Sequence, residues 1–427
     1  MTEIIATENF PLTKTAGCPF DPPPTLTAMQ AEQPITRVRL WDGSHPWLIT
    51  RHADQRELLG DPRVSSDCLR PGYPFGSASM RVRRQNSISF SALDDPEHAR
   101  LRRMVVPSFT VKRMNMLRPA VQKIVDDLID QLLAGPKPAD LVSDFALPVP
   151  SLVICELLGV PYEDHDFFQR QSRTGVRPGS GAEEAAGAQN ELVQYLDQLV
   201  GVKMENPGDD LLSSLAETRV RTGELTRNEL ARMGVMLLVA GHETTANMIA
   251  LGTAALLEHP GELAELRGTD DQDVVRGAVE ELLRYLTIAH FGRRRVAAAD
   301  IEINGVCIRE GDGIIFPNEV ANRDPDVFAE PDRLDLHRDA RRHLAFGSGV
   351  HQCVGQPLAR MELQVVYSTL YRRIPSLRLA VPVTEVPFKY DAAIYGVDEL
   401  PVTWLPGRSW TCGSYDARSR SSSLSRA

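Results

Sequence analysis

From about Glu97 to Glu265 the apolar positions predict helix after helix. Breaks are expected at Pro119, Gly135-Pro136, Pro161, Pro178-Gly179 and Pro207-Gly208. The most apolar of these helices runs from Leu230 to Glu258. Earlier in the chain, Thr36-Arg37-Val38-Arg39-Leu40 and Trp47-Leu48-Ile49-Thr50 alternate as two strands would, across a turn at Asp42-Gly43. Short strands return after a helix that ends near Leu286, at Ile301-Glu302-Ile303 and Gly313-Ile314-Ile315-Phe316. Residues 69–92 are rich in Pro, Gly and Ser and predict a long loop, which in a compact domain is usually functional or mobile. Residues 1–24 predict an irregular arm ending in Pro22-Pro23-Pro24. Residues 407–427 are Ser/Arg-rich without apolar periodicity and predict a disordered tail.

Composition narrows the class. A chain of 427 residues can form one large domain or two to three smaller ones. Its net charge of −10 argues against nucleic acid as a partner. The hydrophobic fraction, 42%, suits a soluble protein with a sizeable core. No apolar run reaches membrane-spanning length, and residues 1–16 lack a signal peptide's basic start and apolar centre. Six cysteines are scattered without any C-x-x-C pair, which argues against zinc ribbons and disulfide scaffolds and for a reducing cytoplasm.

One cysteine stands apart. Cys353 lies in Phe346-Gly347-Ser348-Gly349-Val350-His351-Gln352-Cys353-Val354-Gly355, a stretch too glycine-rich for helix or strand. A helix is expected just after it, over Leu358 to Val366, with Pro357 near its first turn. A helix N-terminus stabilises a thiolate, and the glycines let backbone approach a flat, bulky group closely. Those are the needs of a haem-thiolate ligand. A lone buried Cys would not ask for flanking glycines. A Cys353–His351 nucleophile pair is disfavoured because near neighbours in a turn rarely face each other. The dinucleotide pattern fails at Gln352, where glycine is required.

A second constellation interrupts the most apolar helix. Leu237-Leu238-Val239-Ala240-Gly241 gives way abruptly to His242-Glu243-Thr244-Thr245. Buried polar groups must be satisfied, and a single Thr often does so by bonding back to the carbonyl four residues earlier. A zinc-peptidase H-E-x-x-H motif is excluded because its last position is Ala246. Further along, Glu281 and Arg284 sit at i and i+3 on one helix face, within pairing reach. Asp95-Pro96-Glu97-His98 opens a helix that carries His98 and Arg102 one turn apart.

Taken together, these residues resemble the cytochrome P-450 family, over roughly residues 17 to 406. Phe346, Gly349, His351, Cys353 and Gly355 match its haem-binding loop, and the similarity is greatest to the soluble actinobacterial branch acting on macrolides, vitamin D-like and statin-like compounds. The resemblance implies a mainly α fold with a small β-rich region, and a single catalytic domain over residues 25–406. It implies haem b with Cys353 as axial thiolate, and His98, Arg102, Arg295 and His351 at the propionates. Thr244, with Glu243 and His242, would deliver protons to bound oxygen. Glu281 and Arg284 would engage Arg333 in a structural trio. The implied activity is hydroxylation or epoxidation of an apolar small molecule by a cytoplasmic monomer, using O2 and electrons from a ferredoxin and its reductase. The pocket is expected from the 69–92 loop, the 165–190 region, Leu237 to Thr244, Thr287 to Phe291 and Ile394-Tyr395. Arg338, Arg341, Arg342, His343 and Lys112-Arg113 are expected to form the donor's docking patch. Two other readings keep the haem: a ligand sensor, and an enzyme that uses peroxide or rearranges its substrate. A sensor has no need of the Glu243–Thr244 pair.

Overall fold

Thr226 opens a 32-residue helix, Arg227–Glu258, with a capping box: its side chain accepts from the Glu229 N–H while the Glu229 carboxylate accepts from its own. Apolar residues lie all round this helix, so it cannot sit at the surface. It runs through the main core instead, packed against Pro148–Leu158, Ala182–Glu205 and Gln356–Arg373. The computed structural model describes residues 8–15, 17–78, 80–81, 90–176 and 182–405.

Most of the expected breaks separate helices. Gly135 caps Val111–Ala134, and Gly159, at φ 72°, closes Pro148–Leu158 just before Pro161. Asp210, beyond Pro207-Gly208, caps the short helix Leu211–Leu215. Pro119 is different: it lies inside Val111–Ala134, and the helix continues through it. Val121, Val125, Leu128, Ile129 and Leu132 are buried along one face beyond it. That packing outweighs the missing N–H of a proline placed on an exposed position. The expected break at Pro178-Gly179 lies outside the described residues, as does the 407–427 tail.

The β structure is small and lies beside the helices. Five strands order as Ile35–Arg37, Trp47–Ile49, Gly313–Phe316, Arg293–Ala297 and Val64–Ser65. The first two form the expected hairpin, with Gly43 in the turn at φ 82°. Trp47–Ile49 and Gly313–Phe316 pair parallel, and every other pairing in this sheet is antiparallel. Ile301–Ile303 pairs with Val306–Ile308, and Pro401–Thr403 lies between Ala139–Asp140 and Arg378–Leu379. The fold is mainly helical with a small β-rich region.

Candidate active site

Backbone geometry explains the glycines around Cys353. Gly347 and Gly349 take φ values of 75° and 73°, open to glycine and strained for other residues. A Cβ on Gly349 would lie 2.1 Å from the Leu59 carbonyl oxygen, so the loop could not seat there with any other residue. The Cys353 N–H donates to the Phe346 carbonyl at 2.9 Å and closes the loop on itself. Helix Gln356–Arg373 starts directly behind it, capped by Gly355 and with Pro357 in its first turn.

The sulfur is exposed on one side and closely surrounded on the others. Burial pushes the thiol up. The Gly355 N–H, the Arg293 and Arg102 guanidiniums and the Gln356 N–H pull it the other way. Without a cation in front, burial prevails. An iron there would complete the balance, so the donor set fits a thiolate-bound haem.

Away from its ends the central helix opens at one place. Between Met233 and Leu256, Val239 and Ala240 alone are exposed, and Gly241, Glu243 and Thr244 are half-buried beside them. Small and polar residues thus face free space in a helix otherwise sunk in the core. The Thr244 hydroxyl donates to the Ala240 carbonyl at 2.8 Å. Asn247 Nδ2 donates to the Glu243 carbonyl at 2.9 Å. His242 lies elsewhere: its ring is buried, with Nε2 3.2 Å from the Leu147 carbonyl oxygen. Two residues make about 200° of helix rotation, which carries that ring round from Thr244.

His98, Arg102, Arg295 and His351 gather in one cluster. The His98 and His351 rings lie 4.0 Å apart, and His98 Nδ1 is 3.0 Å from Asp95 Oδ1. His98 Nε2 and His351 Nδ1 are buried without a hydrogen-bond partner among the described residues. Burial, Arg295 and His98, with Arg102 adding to them, push the His351 imidazole down to about 3 against the pull of Asp94. Two guanidiniums beside two orphaned ring nitrogens call for anionic oxygens. The propionates of a haem supply that chemistry.

The Glu281–Arg284 pair is fully buried, at 2.7 and 2.8 Å. Its third member is Arg338, where Arg333 was expected. Arg338 Nε donates to Glu281 Oε1 at 3.2 Å, and its other nitrogens donate to the Ala329, Glu330 and Arg333 carbonyls. The Arg333 side chain is exposed beside Glu330, and only its carbonyl meets Arg284. The turn over residues 330–338 points one arginine inward and the other out. Arg338 therefore also leaves the expected surface patch. So does His343, buried with Nε2 3.1 Å from Glu280. Arg341 and Arg342 stay exposed, the first paired with Asp339 and the second donating to the Val327 carbonyl.

A cytochrome P-450 family profile matches residues 176–375. Cytochrome P-450 GfsF of Streptomyces halstedii is 58% identical over 398 residues, 93% of this chain and 96% of that protein. The chain belongs to the cytochrome P-450 family. The crystal structure of GfsF superposes with a TM-score of 0.89 at 57% identity, covering 93% of this chain and all of that one. Vitamin D3 dihydroxylase of Streptomyces griseolus is 48% identical over 389 residues, 91% of this chain and 95% of that one. This P-450 is accordingly a haem-thiolate monooxygenase of the actinobacterial branch, an oxidoreductase that acts on small molecules with O2 and redox partners. No helix among the described residues is long and apolar enough to cross a membrane.

Two groups at this site escaped the sequence reading. Arg293 donates to the Ala345 carbonyl at 2.7 Å and to Asn318 Oδ1 at 3.0 Å, and its charge reaches Cys353. It shares a strand with Arg295, two residues on and thus on the same face. That Arg-x-Arg alternation was the available signal. Arg360 holds Glu280 at 2.6 and 3.0 Å and lies over the Phe346 ring at 4.6 Å, bracing the cysteine loop from behind.

Proposed function

We propose that this P-450 hydroxylates or epoxidises a medium-to-large apolar molecule, in secondary metabolism or xenobiotic conversion. The carrying observation is a single sulfur, held by a glycine loop at a helix N-terminus and set among cations that await an anion. Bound there, the haem supplies the activation of O2 and insertion of one oxygen atom into the substrate. Cys353 would hold the iron, with the Gly355 and Gln356 N–H groups favouring its anionic form. His98, Arg102, Arg295 and His351 would orient the group by its propionates.

Thr244 and Glu243 hold the protons the reaction consumes. The hydroxyl, bonded to the Ala240 carbonyl, is placed where the helix opens, and half-buried Glu243 lies beside it in the chain. His242, with its ring nitrogen on the Leu147 carbonyl, ties the helix to its neighbour and is assigned no part in the transfer. The substrate wall is assigned to Leu237 to Thr244, Thr287 to Phe291 and Ile394-Tyr395, together with the 69–92 and 165–190 regions. Residues 79, 82–89 and 177–181 of those regions lie outside the described residues. The relative named for vitamin D3 supports a substrate of about that size. A ferredoxin and its reductase deliver the electrons, and the enzyme works as a cytoplasmic monomer.

The test begins with the reduced, CO-treated protein. Cys353→Ala should abolish the absorption band that names the family, while changing Cys18, Cys68, Cys155, Cys307 or Cys412 leaves it. A substrate library scored by the Soret shift then finds candidates. NADPH consumption through a surrogate ferredoxin system, matched to product, separates a monooxygenase from a sensor or a peroxide-driven enzyme.

A further inference from the structure

The irregular arm before Pro24 is fastened at several points. Asn9 bridges Arg39, and the Phe10 ring is buried with Leu26, Val38, Leu48 and Ile315. Lys14 then turns inward. Its Nζ donates to the Asp21 carbonyl at 2.6 Å, lies 3.3 Å from Glu319 Oε2 and sits 5.0 Å from the Tyr395 ring centre. Glu319 Oε2 is 3.5 Å from His290 Nδ1, too far for a firm hydrogen bond. The Tyr395 hydroxyl donates to the Pro19 carbonyl at 2.8 Å.

His290 and Tyr395 belong to two stitched segments. The Tyr395 N–H donates to the Ile288 carbonyl at 2.7 Å, the His290 N–H to the Ala393 carbonyl at 3.2 Å, and Ala289 bridges Ile394. The side chains of His290 and Tyr395 are buried toward the arm, whereas Ile288, Ala289 and Ile394 are only partly covered. One side of the stitched pair therefore faces the arm, and the other is free to meet a ligand.

A Lys–Glu–His group this deeply buried is a poor way to add stability, because removing charge from water is costly. Among the described residues both His290 nitrogens lack a hydrogen-bond partner, and Glu319 Oε2 has only its ion pairs with Lys14 and, at longer range, His290. What such a group does fix is a position. We propose that Lys14 is a positioning residue for substrate selectivity: through Glu319, His290 and Tyr395 it holds residues 287–291 and 393–395 from behind. The inference rests on the reading of those segments as pocket wall.

The full haem-loaded chain tests it, with imidazole and phenylimidazole as iron-binding probes followed by the Soret shift. Imidazole meets little of the wall, and phenylimidazole leans on it. In Lys14→Met the dissociation constant for imidazole should stay at the wild-type value, and that for phenylimidazole should change about tenfold, the worth of one displaced methylene in an apolar pocket. Lys14→Met with Glu319→Gln should recover part of that change, because no unpaired carboxylate is left behind. Equal effects on both probes, or none, would mean the cluster merely supports the fold and would overturn the proposal. Should Lys14→Met fail to take up haem, Tyr395→Phe, which removes only the bond to Pro19, is read by the same ratio. A wild type with no imidazole shift would overturn the haem reading itself, and this inference with it.

Discussion

Thr244 makes a bond available to any helical threonine, from its hydroxyl to the carbonyl one turn earlier. What distinguishes it is the surroundings. Ala240 and Val239 are open beside it, Glu243 is half-buried next to it, and Asn247 engages the Glu243 carbonyl. A hydroxyl that can leave its intrahelical partner can donate to a ligand in that opening. Thr244→Ala should therefore keep haem and substrate binding while product formed per NADPH falls and peroxide or water rises. General acid catalysis is worth about 10²–10⁴-fold, and water can take the place of the lost hydroxyl, so the loss should sit near the low end. Coupling equal to wild type would remove Thr244 from the proton path. Residue types were the legible part of this site: an anionic sulfur among glycines, and an acid–alcohol pair in an apolar helix. The direction of the His242 ring was not, because it depends on where the segment ending at Leu147 packs.

At the level of elements, pairs within one helix could be read from spacing, and pairs between elements could not. Glu281 and Arg284 are neighbours on any helix, so their contact followed from i and i+3. Their third partner depends on how the chain turns between Glu330 and Arg338, where two arginines compete. Pro119 is a similar case, since helix propensity favours a break and five buried apolar residues beyond it overrule that. The strand Arg293–Ala297 was missed because three successive arginines look like surface. Its sheet partners, Gly313–Phe316 and Val64–Ser65, include one far back in the chain. The correction at Glu281 has a measurable consequence. Arg338→Ala removes one of two cations from a buried carboxylate and frees the Ala329, Glu330 and Arg333 carbonyls. Glu281 keeps Arg284, so the cost should be about 2 kcal/mol, short of the full loss for an isolated buried charge. Arg333→Ala removes an exposed side chain and should stay within about 0.5 kcal/mol. Denaturant unfolding of the two variants measures the difference. Equal losses would return Arg333 to the trio.

Over the whole molecule the charge is acidic, yet cations concentrate around the cysteine loop, and the structure sorts them by task. Arg293 and Arg102 act on the sulfur, Arg360 braces Phe346, Arg338 is tied to the buried Glu281 carboxylate and His343 to half-buried Glu280. Four arginines and one histidine near this loop thus already have internal partners. Arg341, Arg342 and Lys112 remain at the surface, while Arg113 is paired with Asp209. A surface cation held only by an adjacent acid, as Arg341 is by Asp339, gains little from that pair and stays available to a partner. Arg341 and Arg342 lie close in sequence to Cys353, and we propose that a donor docks here because the thiolate side offers an electron the short route to a bound haem. An acidic ferredoxin attracted here would associate faster, and salt would screen that attraction over about 8 Å at physiological ionic strength. Turnover driven by ferredoxin should therefore fall as salt rises. Arg341→Glu with Arg342→Glu should slow it further at low salt, with substrate binding and peroxide-driven activity left at wild-type values. Because neither side chain reaches the core, the double variant should unfold at the wild-type denaturant midpoint, which separates a docking effect from a folding one. Wild-type electron transfer by the double variant at low salt would place the donor on another face.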